Sequence, residues 1–218
     1  MPEYTHLFFD LDGTLWDFDG NTRESLRDLL ELYSLDSLLS DFENFEHTYH
    51  LHNDRLWDLY RKGKIEKDKL RWYRFYLTLF DLGIKNEELA RKMDRTYIEQ
   101  TPLKTGLVPH SREILEYLSA KAYLMYIVTN GFNEVQFVKL KESGLQSFFI
   151  DMITSEMAGC QKPHPGFFSY ALDSAGASPG RSLVIGDHPE ADISGALSAG
   201  MDAVFFNPGG KEGNVVPT

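Results

Sequence analysis

Residues 7–15 read LFFDLDGTL, an apolar run that stops at two aspartates, Asp10 and Asp12, separated by one residue. His6 to Phe9 has the length and aromatic content of a short buried strand rather than a helix, and Gly13 breaks it. In an extended chain, residues two apart project to the same side, so the spacing directs both carboxylates toward one point beyond the strand's end. Two such charges repel each other unless a cation neutralises them. The stretch therefore calls for a metal ion or a buried lysine nearby. A polar strand-to-turn junction also favours Asp and Gly, and the rest of the chain has to decide between the two.

The chain is 218 residues long, which suits one large domain or a core with an insertion. Hydrophobic residues at 42% and aromatic residues at 13% can supply a proper core. No apolar run is long enough for a membrane helix, and MPEYTHLFFD lacks the basic start and long apolar stretch of a secretory signal. A single cysteine, Cys160, excludes an internal disulfide. Together these features indicate a soluble cytoplasmic protein. The net charge of −11 disfavours nonspecific binding to nucleic acid or anionic membranes. An anionic substrate would then need a local device to approach, such as a metal ion, a lysine or a helix N-terminus.

Past Asp12, residues 17–100 carry helical patterns and no convincing strand. Asn21 or Thr22 is placed to cap a first helix running to about Tyr33. Ser40-Asp41-Phe42-Glu43 fits a capping box that opens a long helix ending near Gly63. Two further helices are expected over 66–80 and, behind Asn86, over 87–100. From Pro109 the rhythm changes. Helices are expected at 109–121, 133–143 (capped by Asn133), 165–175 and 190–199, alternating with strands at 123–128, 149–154, 182–185 and 203–206. Such alternation predicts βαβ units and a parallel sheet. The fold class is α/β, with core segments 1–16 and 101–218 and an inserted α-helical cap at 17–100.

In open α/β sheets ligands bind beyond the carboxyl ends of the strands. There the chain places Asp10 and Asp12, then Thr129 and Asn130, then Lys162 in the loop GCQKP, and finally Asp187 with Asp192 on the following helix. Each has an ordinary explanation by itself; their convergence on one edge does not. Hard carboxylate oxygens suit Mg²⁺, and no Cys/His set argues for zinc. An aspartate can form an acyl-phosphate, while a lysine and a threonine hydroxyl can hold phosphoryl oxygens as charge develops. Mg²⁺ and Lys162 would make a local positive spot on an acidic protein.

At these residues the chain resembles the haloacid dehalogenase superfamily, through FFDLDGTL (8–15), IVTNG (127–131), the lysine of QKPHP (161–165) and VIGDHPEAD (184–192). The resemblance implies a Rossmann-like core with a helical cap inserted after the first strand. Asp10 is then the nucleophile, and Asp12 protonates the leaving oxygen and afterwards activates water. Thr129, Asn130 and Lys162 bind phosphate, with Lys162 balancing charge. Mg²⁺ sits between Asp10, the Asp12 main-chain carbonyl and Asp187. Asp192 stands behind them, pairing with Lys162. Within the superfamily, Leu56-Trp57-x-x-Tyr60-x-x-Gly63-x-Ile65, Thr129-Asn130-Gly131-Phe132 and Lys162-Pro163-x-Pro165 look like the bacterial pyrimidine 5′-nucleotidase branch. That branch implies a small phosphate ester as partner, a nucleoside monophosphate, with no polymeric nucleic acid and no membrane, acting as a monomer or small homo-oligomer. A closing helix past Asn207 is expected to be missing.

Trp57 and Tyr60 are the candidate substrate-specificity residues, with Trp72, Arg61 and Arg74 near them in sequence. His47, His50 and His52 read as solvated histidines without a carboxylate partner, and Cys160 as a small loop residue. Phosphoglycolate and sugar phosphatases share every core motif. A 2-haloacid dehalogenase needs neither the second acid nor the metal, so Asp12 speaks against it. A phospho-aspartate receiver, the non-enzymatic alternative, has no large insert after its first strand.

Overall fold

The computed structural model describes residues 4–209. The chain divides into two compact units, Met1–Phe18 with Thr105–Thr218, and Asp19–Lys104. The first unit is built on a five-stranded parallel sheet: β1 (His6–Phe9), β2 (Leu124–Thr129), β3 (Asp151–Thr154), β4 (Ser182–Gly186) and β5 (Asp202–Phe205), in the order β3-β2-β1-β4-β5. β1 is central, with Phe9 in register with Ile127 on one side and Ile185 on the other. The chain runs to one side of β1 and then returns to the other. The crevice where ligands gather in such sheets therefore opens at the carboxyl ends of β1 and β4.

Alternation along β1, with both faces covered, explains why Leu7, Phe8 and Phe9 can all be apolar. Leu7 and Phe9 pack with Leu11, Trp16, Leu115, Met125, Ile127 and Leu140, while Phe8 packs with Val128, Ile153, Phe167, Phe168 and Val184. The helices α6 (Ser111–Ala120) and α7 (Asn133–Glu142) thus supply one covering layer, through Leu115 and Leu140. The other layer comes from α9 (Pro165–Ala175) and α10 (Gly195–Ser198). A short helix, α8 (Ser155–Ala158), follows β3. On the edge strand β5, Val204 stays 47% exposed. The closing helix expected to be missing past Asn207 falls outside the described residues.

The second unit is all helical: α1 (Phe18–Leu32), α2 (Asp36–Leu39), α3 (Phe42–Arg61), α4 (Lys67–Asp81) and α5 (Glu87–Gln100). Its core joins Leu26, Leu29 and Leu30 of α1 to Phe45 and Tyr49 of α3, Phe75 and Leu79 of α4, and Met93 and Tyr97 of α5. Asn86 caps α5 as expected, accepting the Leu89 N–H at 3.0 Å.

Four local expectations need correction. α1 starts at Phe18, so Asn21 and Thr22 lie inside it and are buried; Asp19 occupies the first turn, where a negative charge meets the helix's positive end. The capping box does not form. Ser40 closes α2 instead, and Asp41 precedes α3 with its carboxylate 3.2 Å from the Asn44 amide, while Glu43 pairs with Arg23. α7 begins at Asn133 with Phe132 in the cap position, because the Asn133 carboxamide accepts the Thr154 hydroxyl. Finally, His52 is buried, with Nε2 2.8 Å from Asp81 Oδ2, so one of the three histidines has a carboxylate partner after all.

Arg74 is also not the exposed donor its neighbours suggest. It is 5% exposed, donates to Asn53 Oδ1 at 3.0 Å, lies 4.0 Å from Asp94, and stacks over Tyr97 with its guanidinium carbon 4.9 Å from the ring centre. Burial pushes the Asp94 carboxyl up, against the pull of Arg74 and Arg71. Arg74→Ala would remove the larger of the two opposing arginine charges and leave Arg71 facing that carboxylate at 3.4 Å. The expected cost is about 3 kcal/mol, the low end for a broken buried ion pair since Arg71 still faces Asp94. A urea midpoint lowered at unchanged m-value would register it; a midpoint within error of wild type would show the pair to be energetically idle.

Candidate active site

The site begins where β1 runs out of apolar residues. The Asp10 N–H continues the parallel ladder to the Ile185 carbonyl at 2.9 Å, so this aspartate sits on the last rung of the central strand, 7% exposed. Lys162 comes from the loop between α8 and α9, is 2% exposed, and spends its ammonium on three acceptors. These are Asp10 Oδ1 at 2.7 Å, Asp192 Oδ1 at 2.6 Å and the Val128 carbonyl at 2.8 Å. Its main chain is held as firmly: Asn130 accepts the Lys162 N–H at 2.8 Å and donates to the Lys162 carbonyl at 2.9 Å. Asn130, expected among the phosphate ligands, thus uses its carboxamide to fix the lysine. Thr129 is 2% exposed, and its hydroxyl accepts the Gly131 N–H at 3.0 Å.

Asp187 follows β4, and its Oδ1 accepts the Thr14 hydroxyl at 3.3 Å. Asp192 lies on a widened, π-type turn over Pro189–Ser194, capped by His188, where one regular helix over 190–199 was expected. The wider turn carries Asp192 inward, where its second oxygen accepts the His188 N–H at 3.0 Å. Asp10, Asp187 and Asp192 each offer an oxygen within 4.8 Å of the others. Burial, outweighing the pull of Lys162, drives the Asp10 carboxyl well above the ordinary carboxylate range, with Asp192 and Asp187 adding to the rise. Burial and the neighbouring Asp192 push Asp187 up to about 6. Burial alone would depress the Lys162 ammonium, but Asp10 and Asp192 raise it above a normal lysine.

Three carboxylates against one ammonium leave an excess of negative charge that a divalent cation would balance. Hard carboxylate oxygens at this spacing fit Mg²⁺. Asp192 has both oxygens engaged, by Lys162 and by His188, which leaves Asp10 and Asp187 with oxygens to spare.

The second aspartate does not join this group. The spacing at 10 and 12 pointed both carboxylates at one spot, but Asp12 turns toward α7. There Lys139 Nζ donates to its Oδ1 at 2.5 Å and Gln136 Nε2 to its Oδ2 at 2.6 Å. The strand has already ended at Phe9, and a tight turn to Trp16, in which both Leu15 and Trp16 donate to the Leu11 carbonyl, replaces the extended geometry on which same-side projection depends. Lys139 and Gln136 went unrecognised as site residues. The available signal was a helix whose buried residues, Gln136, Lys139 and Leu140, are mostly polar, the opposite of an ordinary core-facing stripe. Trp57 and Tyr60 meet edge to face, at 5.7 Å between ring centres, half-buried and outside the helical unit's core cluster.

The chain thus sets a buried lysine, acids gathered beyond the ends of β1 and β4, and a separate aspartate at one edge of a parallel α/β sheet. It belongs to the haloacid dehalogenase-like hydrolase family, whose model matches residues 4–200. It is 31% identical to the HAD-hydrolase YfnB of Bacillus subtilis (strain 168) over all of this chain and 91% of YfnB. YfnB's crystal structure, bound to magnesium, superposes with a TM-score of 0.88 at 30% identity, covering 99% of this chain and 93% of that one. The chain is also 32% identical to the pyrimidine 5′-nucleotidase YjjG of Escherichia coli (strain K12), over 94% of this chain and 87% of YjjG. With the pyrimidine 5′-nucleotidase PynA of Streptococcus pneumoniae (strain ATCC BAA-255 / R6) it shares 31% identity, over 94% of this chain and 84% of PynA.

Gly13 shows how tightly the acids are packed. Its φ is +81°, and a Cβ there would fall 2.5 Å from Asp187 Oδ2. Gly13→Ala is expected to cost about 1–2 kcal/mol from the left-handed backbone alone, and to displace Asp187 as well. The check is a lowered Tm together with a weakened Tm response to added Mg²⁺. A variant as stable and as responsive as wild type would mean that the loop yields without disturbing the acid.

Proposed function

We propose that the protein is a Mg²⁺-dependent phosphomonoester hydrolase of the cytoplasm, acting on nucleoside 5′-monophosphates through an aspartyl-phosphate. The observation that carries this reading is the separation of two aspartates two residues apart. Asp10 sits on the buried lysine among the other acids, and Asp12 is held away from them on donors of its own. One is suited to attack and the other to move protons. A dehalogenase needs only the first.

In this reading one oxygen of Asp10 stays on Lys162 while the other attacks phosphorus. As the phosphorus–ester bond breaks, Asp12 gives its proton to the departing alkoxide, which leaves as the alcohol. Water then attacks phosphorus and passes a proton to Asp12 as the Asp10–phosphorus bond breaks, restoring both carboxyl groups and releasing inorganic phosphate. Lys162 stays paired with Asp10 and Asp192 throughout, and the Thr129 hydroxyl lies on the adjoining strand end to hold a phosphoryl oxygen. Mg²⁺ bound at Asp10 and Asp187 would supply charge stabilisation for the transferring group. The two nucleotidase relatives support the substrate class, and the half-buried Trp57–Tyr60 pair offers a surface on which a base can stack.

A phosphate-release screen over nucleoside monophosphates, sugar phosphates and phosphoglycolate tests the reading. The fastest turnover is expected on pyrimidine nucleoside monophosphates, abolished in Asp10→Asn and by EDTA, and restored by Mg²⁺ but poorly by Ca²⁺. Halide release from 2-haloacids in metal-free buffer, without phosphate release, would sink it. Base stacking is worth about 1–3 kcal/mol, so Trp57→Ala or Tyr60→Ala should lower kcat/KM for nucleotides by about tenfold or more while sparing p-nitrophenyl phosphate. Uniform losses on every substrate would assign the pair to stability.

A further inference from the structure

We propose that Lys139 and Gln136 are positioning residues for Asp12, a pair of buried donors that fixes the acid–base carboxylate for proton transfer. The inference rests on the phosphatase reading above. The two residues lie one turn apart on α7 and take one Asp12 oxygen each, at 2.5 and 2.6 Å. They are 4% and 1% exposed, whereas the Asp12 side chain is 25% exposed. The donors thus come from the protein's interior, and the carboxylate's outer edge stays open. A carboxylate offers about four lone-pair directions, so two remain for a leaving oxygen or a water.

Fold stability gives little reason for this arrangement. Replacing a buried ion pair by apolar groups of similar volume is often neutral or stabilising; the Lys139 ammonium also makes a cation–π contact, 3.9 Å from the Trp16 ring centre, but that contact calls for neither Asp12 nor Gln136. Gln136 Oε1 is buried without a hydrogen-bond partner among the described residues, so the side chain is desolvated largely for its one bond to Asp12. The neighbouring backbone makes room for it too: a Cβ at position 131 would fall 1.7 Å from Gln136 Nε2. A free aspartate swings about two torsions. Donors on both oxygens remove that freedom, and a proton-transfer group off its geometry loses most of its effect.

The test is a set of double-mutant cycles on a nucleoside monophosphate, with Lys139→Met, Lys139→Arg and Gln136→Met, each alone and combined with Asp12→Asn. If the pair acts through Asp12, either methionine variant lowers kcat by about 10- to 100-fold, part of what a general acid contributes, with KM within about twofold of wild type. The loss shrinks on p-nitrophenyl phosphate, Lys139→Arg recovers part of it, and in the Asp12→Asn background the same changes cost nothing further. Losses that multiply with Asp12→Asn, or that are equal for both leaving groups, overturn the inference and leave the phosphatase reading standing. So does failure of both methionine variants to fold, which would make the pair a stability element. A wild-type protein with no turnover on any phosphomonoester overturns the phosphatase reading, and this inference with it.

Discussion

The site depends on one buried ammonium. Lys162 is 2% exposed and can be there only because three acceptors meet it: Asp10, Asp192 and the Val128 carbonyl. An isolated ammonium would not survive that environment as a charge, and neither would Asp10 or Asp192 alone. Each of the three partners comes from a different strand end: Asp10 from β1, Val128 from β2 and Asp192 from the turn after β4. The lysine therefore ties together three adjacent strands, β2, β1 and β4, at the edge where the ladder of backbone bonds gives out. The fold positions the charge, and the charge closes the end of the sheet.

Much of this was legible because the strands announce their own ends. An apolar run interrupted by Asp10, by Thr129-Asn130 or by Asp187 marks both where the sheet stops and which side chains stand at its edge, and the observed β1, β2 and β4 end within a residue of those points. The partner of each acid was less legible. That Asp192 meets Lys162 followed only from the family resemblance, and nothing local to Asp12 points to a helix 124 residues later in the chain. Same-side projection failed for Asp10 and Asp12 because the rule belongs to a continuous strand, and β1 has ended before Asp12. Cap positions failed for a related reason. Asn21, Asn133 and Ser40 all have the chemistry of caps, but each is claimed by its neighbours, through helix extension, the Thr154 hydroxyl and the Ser37 carbonyl respectively.

The two units use buried polarity in different ways. In the helical unit Arg74, Asn53 and Asp94 form a network enclosed by Tyr49, Phe75 and Tyr97. Arg74 and Arg71 supply the positive charge that Asp94 faces, so the network can help specify how α3, α4 and α5 pack without any ligand. At the sheet edge the balance is left incomplete: Asp10, Asp187 and Asp192 share a single lysine, and the carboxyls of Asp10 and Asp187, pushed up chiefly by burial, are pushed further by the neighbouring acids. A network that balances itself is architecture, while one that stays short of positive charge is poised to bind some.

The glycines of the motifs take their meaning from the side chains packed against them. Glycine at 13, 131 and 186 looks from the sequence like turn chemistry, and for Gly13, with its positive φ, that is part of the reason. Yet at all three positions a methyl group would collide with a polar side chain: Asp187 at Gly13, Gln136 at Gly131 and Asp192 at Gly186, at 2.5, 1.7 and 2.4 Å. The short sequences around Asp10, Thr129 and Asp187 are thus halves of contacts, each leaving a gap that a carboxylate or carboxamide fills. Gly131 opens space for the amide that holds Asp12, and Gly13 and Gly186 open space for the acids that surround Lys162. Reading each motif glycine as room for a specific partner links the proton-transfer side of the site to its charged centre through the backbone itself.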